Sequence, residues 1–93
     1  MSDGAAPNYD IDVTRSALKD LRKIPRQHLS RIDAKITSLR ENPRPRGVIK
    51  LTGEGHLYRV RVGDYRIIYA VDDAERMVTI ARVRERGDAY DNL

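Results

Sequence analysis

Residues Leu57 to Val71, LYRVRVGDYRIIYAV, constrain the fold more than any other stretch of the chain. Two runs of alternating apolar and polar residues are separated by the pair Gly63-Asp64, the spacing of a tight β-hairpin. When Val62 pairs with Tyr65, the period-two geometry of strands sets Val60 opposite Ile67 and Tyr58 opposite Tyr69 on one face, and Arg61 opposite Arg66 on the other. Like charges directly across a ladder destabilise it by roughly 0.2–1 kcal/mol. The pairing of two arginines therefore asks for an anionic partner.

The remaining patterns supply what the hairpin packs against. Tyr9-Asp10-Ile11-Asp12-Val13 alternates and predicts a first strand with Tyr9, Ile11 and Val13 facing inward, and Thr14 is a suitable helix N-cap. Ala17, Leu18, Leu21 and Ile24 make a helical stripe that Pro25 closes, and Leu29, Ile32, Ile36 and Leu39 make a second, with Arg31, Asp33, Lys35 and Arg40 left to solvent until Asn42-Pro43 stops the helix. So short a link makes the pair a helical hairpin with an apolar face to cover. Strands follow at Val48–Leu51, within the opening stretch, and at Met77–Arg84, joined by the Gly-rich turn Thr52–His56 and the polar turn Asp72–Arg76. The expectation is an α+β fold, with a helical hairpin on one face of a small, mainly antiparallel, twisted sheet in the order β-α-α-β-β-β. With 93 residues the chain suits one domain over 9–93, preceded by a small polar tail at 1–8 that is expected to be flexible.

Carrying the alternation through the last strands puts Tyr58, Val60, Val62, Tyr65, Ile67, Tyr69 and Val71, together with Met77, Thr79, Ala81 and Val83, beneath the helices. The other face receives Arg59, Arg61, Arg66, Arg82 and Arg84 with Ile68, Ala70, Val78 and Ile80. All five charged positions on this face are arginine, whose planar forks match phosphate oxygens. Lys+Arg exceed Asp+Glu by 18 − 14 = 4, which also favours an acidic partner such as nucleic acid. The chain has no cysteine, so neither a disulfide framework nor a thiolate metal site is available. Apolar runs are too short to span a membrane and no secretory signal pattern opens the sequence, so a cytoplasmic protein is expected. His28 lies on the second helix, away from the arginine face. His56 precedes the hairpin, and no second histidine completes an acid–base pair.

Leu57-Tyr58-Arg59-Val60-Arg61, Gly63-Asp64-Tyr65-Arg66-Ile67-Ile68-Tyr69 and Arg84-Glu85-Arg86 with Tyr90, set in the order strand, helical hairpin, sheet, resemble the RelE family of bacterial toxins within the RelE/ParE superfamily. The resemblance runs from about Tyr9 to Tyr90. It implies the toxin of a type II toxin–antitoxin system, a metal-independent, ribosome-dependent endoribonuclease that cuts mRNA at the A-site codon by attack of a 2′-hydroxyl on the adjacent phosphate. By that likeness Arg66 contacts the scissile phosphate, Arg84 stabilises it and the leaving group, and Tyr90 stacks on or orients the cleaved nucleotide. Arg59 and Arg61 stand where the best-known member has lysines, one of them proposed as the base. An arginine is a poor proton acceptor, so Arg61 is expected as a phosphate clamp. Arg59, Arg82, Arg86 and Lys50 complete the expected RNA-binding set.

The resemblance implies no cofactor. It implies as partners an acidic RelB-like antitoxin, the ribosome and mRNA, and operator DNA through the antitoxin. Two alternatives stay open: a ParE-type inhibitor of DNA gyrase without RNase activity, and a non-catalytic domain that binds RNA or protein through the same basic face.

Overall fold

The computed structural model describes residues 8–51, 53 and 56–85. Most of the expected tail, together with Arg86 and Tyr90, lies outside the described residues. The described elements are β1 (Asp10–Val13), α1 (Arg15–Arg22), α2 (Arg26–Ser38), β2 (Ile49–Lys50), β3 (Leu57–Val62), β4 (Tyr65–Asp72) and β5 (Met77–Glu85). The strands form one five-stranded sheet in the order β1-β5-β4-β3-β2. Its ladders are antiparallel except that β1 runs parallel to β5. The α+β architecture expected from the periodicities is the one adopted.

Thr14 opens α1 as an extended N-cap, its Oγ1 accepting the Ala17 amide at 3.1 Å. Such a cap is worth about 1 kcal/mol. Pro25 occupies the N-cap position of α2, where a missing N–H removes no helical hydrogen bond. On α2 the stripe holds: Ile32, Ile36 and Leu39 are buried, and Leu29 packs against the same core. On α1 it is narrower than expected. Ala17 and Ile24 are buried and Leu21 packs on the core, but Leu18 is 41% exposed. Positions 17 and 21 share one face of the helix, Leu18 stands at its flank, and Ile24 lies just past the C-cap Lys23.

The hairpin register is the expected one, with Val62 opposite Tyr65, Val60 opposite Ile67 and Tyr58 opposite Tyr69. Gly63 has φ +59°, the left-handed conformation that a glycine-first hairpin turn requires. The expected facing of β5 is overturned in its first half. Val78 and Ile80 are completely buried, whereas Met77 and Thr79 are only partly covered. The cause is a β-bulge. Ile68 pairs with Arg82 but its neighbour Tyr69 pairs with Ile80, which leaves Ala81 as an extra residue in β5. One extra residue reverses the face of every side chain before it.

The loop after α2 is fastened to the sheet by polar groups on tyrosines. Tyr58 and Tyr69 stack with ring centroids 5.8 Å apart, and the Tyr69 hydroxyl donates to the Pro43 carbonyl at 2.7 Å. Arg44 donates from Nε to the Tyr58 hydroxyl at 3.0 Å and from Nη2 to Asp73 Oδ2 at 2.9 Å. Asp73 also accepts the Tyr9 hydroxyl at 2.6 Å. The hydrogen bonds from Arg44 and then Tyr9 hold the Asp73 carboxyl below its usual range. Burial, aided by the neighbouring Tyr58, pushes the Tyr69 phenol well above its ordinary value. Among the described residues no helix is long and apolar enough to cross a membrane.

Candidate functional site

The face of the sheet turned away from the core carries an ordered array of arginines. Arg61 on β3 stands directly opposite Arg66 on β4, and Arg66 stands directly opposite Arg84 on β5. Adjacent Cα atoms across a ladder are about 4.5–5.5 Å apart, so the row places its guanidinium stems within about 11 Å along one line. A second row lies beside it: Arg59 on β3 opposite Ile68 on β4, and Ile68 opposite Arg82 on β5. The bulge at Ala81 sits just before this array, so the arginine end of β5 keeps the facing expected of it while the first half does not.

The members of the row differ in environment. Arg61 is exposed, Arg84 is partly covered, and Arg66 is 7% exposed in the central strand. Arginine is rarely so buried. A cavity of about 210 Å³ opens on this side, lined by Gly47, Ile49, Arg59, Arg61 and Arg66. Beside the arginines it is lined by Ile49 of β2 and by Gly47, at the end of the loop that follows α2.

Arg82 is engaged with α1. Its Nε donates to Asp20 Oδ2 at 2.9 Å and its Nη2 to Asp20 Oδ1 at 3.1 Å, and Asp20 Oδ2 also accepts the Val83 amide at 2.9 Å. Burial pushes the Asp20 carboxyl up, but the hydrogen bonds from Arg82 and Val83 and the charges of Arg82 and Arg84 outweigh it and hold the group below its usual 3.8. A second cavity, of about 320 Å³, runs along this edge between Asp20, Lys23 and Ile24 of the helical layer and Arg82, Arg84 and Glu85 of β5.

Of the residues expected at the site, Arg59, Arg61, Arg66, Arg82 and Arg84 are brought together on one end of the sheet. Lys50 is not among them, because it pairs with Tyr58 and so belongs to the helix-covered face, while Ile49 stands opposite Arg59. Arg86 and Tyr90 lie outside the described residues. His28 packs its ring 5.7 Å from that of Tyr65, away from the row. Asp20 escaped the sequence reading. Its only signal there is that it is the single acidic side chain of α1, among Arg15, Lys19 and Arg22.

Chemically, such a row suits a phosphodiester. Several guanidinium groups fixed by a sheet hold an anion by bidentate hydrogen bonds, and they gain strength as charge builds on non-bridging oxygens.

A family model described as the ParE toxin of the type II toxin–antitoxin system, parDE, matches residues 11–90. The chain is similar to the RelE1 protein of Methanocaldococcus jannaschii, with 31% identity over 87 residues that span 90% of this chain and 97% of that one. Among solved structures it is similar to a chain of the archaeal RelE–RelB complex from Pyrococcus horikoshii, at TM-score 0.77 and 36% identity over 88% of this chain and 99% of that one. It is also similar to the isolated E. coli RelE toxin, at TM-score 0.75 and 26% identity over 90% of each chain.

Proposed function

We propose, given that this chain belongs to the RelE-type toxins of the ParE toxin family of type II toxin–antitoxin systems, that it is an endoribonuclease cutting mRNA in the ribosomal A site. The observation that carries this reading is the line Arg61–Arg66–Arg84 across three neighbouring strands. In the proposed step the 2′-oxygen bonds to the adjacent phosphorus and the bond from phosphorus to the 5′-oxygen breaks. The 2′-hydroxyl proton leaves to solvent, and the departing 5′-oxygen takes up a proton. The products are a 2′,3′-cyclic phosphate and a 5′-hydroxyl. Arg66 and Arg61 hold the non-bridging oxygens, and Arg84 offsets charge on the phosphate and the leaving oxygen. No described residue of the row is a strong base, so the rate comes from in-line orientation and charge stabilisation, each well-placed donor contributing on the order of 100- to 1,000-fold. Arg86 and Tyr90 are proposed to complete the nucleotide contact.

The Pyrococcus horikoshii relative is a RelE–RelB complex. By that likeness this chain takes a cognate antitoxin, and an acidic segment of it covers the arginine face until it is removed. Contact with operator DNA runs through that antitoxin, and the toxin acts in the cytoplasm, where ribosomes translate. The description of the matching family model as a ParE toxin favours one second reading, inhibition of DNA gyrase. Purified protein added to translating ribosomes, with cuts mapped by primer extension, separates the two. Cuts within A-site codons that vanish in Arg66→Ala support the nuclease. Uncut mRNA together with blocked supercoiling by gyrase assigns the ParE activity instead.

A further inference from the structure

We infer that Asp20 is a positioning residue for Arg84, acting through Arg82 and the backbone of Val83, an inference that rests on the phosphate-cradle reading of the arginine row. β1 ends at Val13, so among the described residues no strand lies beside the outer edge of β5 beyond Ile80. Thr14, the N-cap of α1, and Asp20, in its second turn, bond to that edge instead. Thr14 Oγ1 donates to the Ala81 carbonyl at 2.9 Å, and Asp20 Oδ2 accepts the Val83 amide at 2.9 Å. The same carboxylate takes Arg82 in a fork at 2.9 and 3.1 Å.

These contacts bracket the bulge. Ala81 is the extra residue, and the bulge interrupts the ladder locally; past it β5 pairs again with β4 on one edge, from Ile68–Arg82 to Tyr65–Glu85, and Thr14 and Asp20 hold its other edge. A slip of one residue would turn Arg84 to the helix-covered face. Thr14 on one side and Asp20 on the other fix the strand so that Arg84 arrives opposite Arg66. The Asp20 side chain is only 12% exposed, and it carries negative charge next to a cationic row. That charge weakens attraction for phosphate, so its contribution at this place is geometric. The consequence for Arg82 is a change of role from phosphate ligand to partner of Asp20.

The two roles predict opposite effects. Were Arg82 a phosphate contact with Asp20 as its counter-ion, removing Asp20 would release a cation and tighten RNA binding. With Asp20 as the positioning group, its removal slows the cleavage step. Single-turnover cleavage on programmed ribosomes is measured for wild type, Asp20→Asn, Arg82→Ala and the double variant, with Asp33→Asn as the same charge change on the exposed side of α2. Asp20→Asn and Arg82→Ala are each expected to slow cleavage by about 10- to 100-fold, the loss typical of a displacement near 1 Å. The ribosome concentration for half-maximal rate stays unchanged, the double variant is no slower than the worse single one, and Asp33→Asn matches wild type.

Amide exchange is read in parallel, and it should accelerate at Val83, Arg84 and Glu85 in Asp20→Asn while the helices keep their protection. Wild-type rate in Asp20→Asn, tighter RNA binding at unchanged rate, or a rate loss matched by general unfolding overturns the inference. Should wild type cut no mRNA, the nuclease reading falls by itself. The positioning of β5 then stands if exchange accelerates at those three amides and falls if it does not.

Discussion

Arg66 stands in the central strand, nearly buried, with an arginine directly opposite on each side, and it is the residue on which the proposed chemistry depends most. Arg66→Ala should lower single-turnover mRNA cleavage by about 100- to 1,000-fold, the range for losing one preorganised donor, with an unchanged circular dichroism spectrum. Tyr69 tests the fastening of the loop after α2. Tyr69→Phe leaves the Pro43 carbonyl without its donor and should cost about 1–3 kcal/mol in denaturant unfolding. The folded-state phenol titrates above its ordinary 10.0, so its contribution is present below pH 10 and lost as pH rises through the folded value; the variant should lack that alkaline limb. Asp20 has the opposite sign. Its folded value lies below 3.8, so its contribution is present above the unfolded value and lost as pH falls through the folded one. Acid unfolding of Asp20→Asn should therefore be shallower than that of wild type below pH 3.8. The pairing of Arg61 with Arg66 is legible from alternation alone, because a turn of only two residues, Gly63-Asp64, joins their strands. Asp20 and Arg82 are 62 positions apart, and no local period connects them.

The hairpin of β3 and β4 is the element whose structure follows most directly from its sequence. Its turn needs a positive φ at Gly63, and its faces then follow by parity. Gly63→Ala should cost roughly 1–2 kcal/mol, the penalty of a side chain in left-handed backbone. A Cβ there would meet the Arg31 guanidinium at 3.6 Å, an ordinary contact, so the loss belongs to the backbone, and Gly63→Asn should recover part of it in thermal melts. Element β5 shows the limit of parity. Val78 and Ile80 look like open-face residues when counted back from Val83, and the bulge at Ala81 turns them into the core. Nothing in MVTIARVRE marks which residue is extra, because the bulge is stabilised from outside the strand, by Thr14 on α1. The parallel pairing of β1 with β5 is hidden too: both strands read as half-buried, and no local period says which edge β1 joins.

The molecule as a whole divides its work between two faces of one sheet. The helices cover one face and build the core, and the other face gathers cations that the core has no use for. Binding of single-stranded RNA to the isolated protein should weaken with salt, and each arginine of the row replaced by alanine should reduce the slope of log K against log salt by about 0.7. In the proposed reaction fixed guanidinium forks, and not charge alone, hold the scissile phosphate. Arg66→Lys tests this most directly, because lysine keeps the charge and loses the planar fork. In single-turnover cleavage on ribosomes carrying a defined A-site codon, Arg66→Lys should fall at least about 10-fold below wild type, toward Arg66→Ala, given the weight of one oriented donor. Cleavage by Arg66→Lys at the wild-type rate would contradict it.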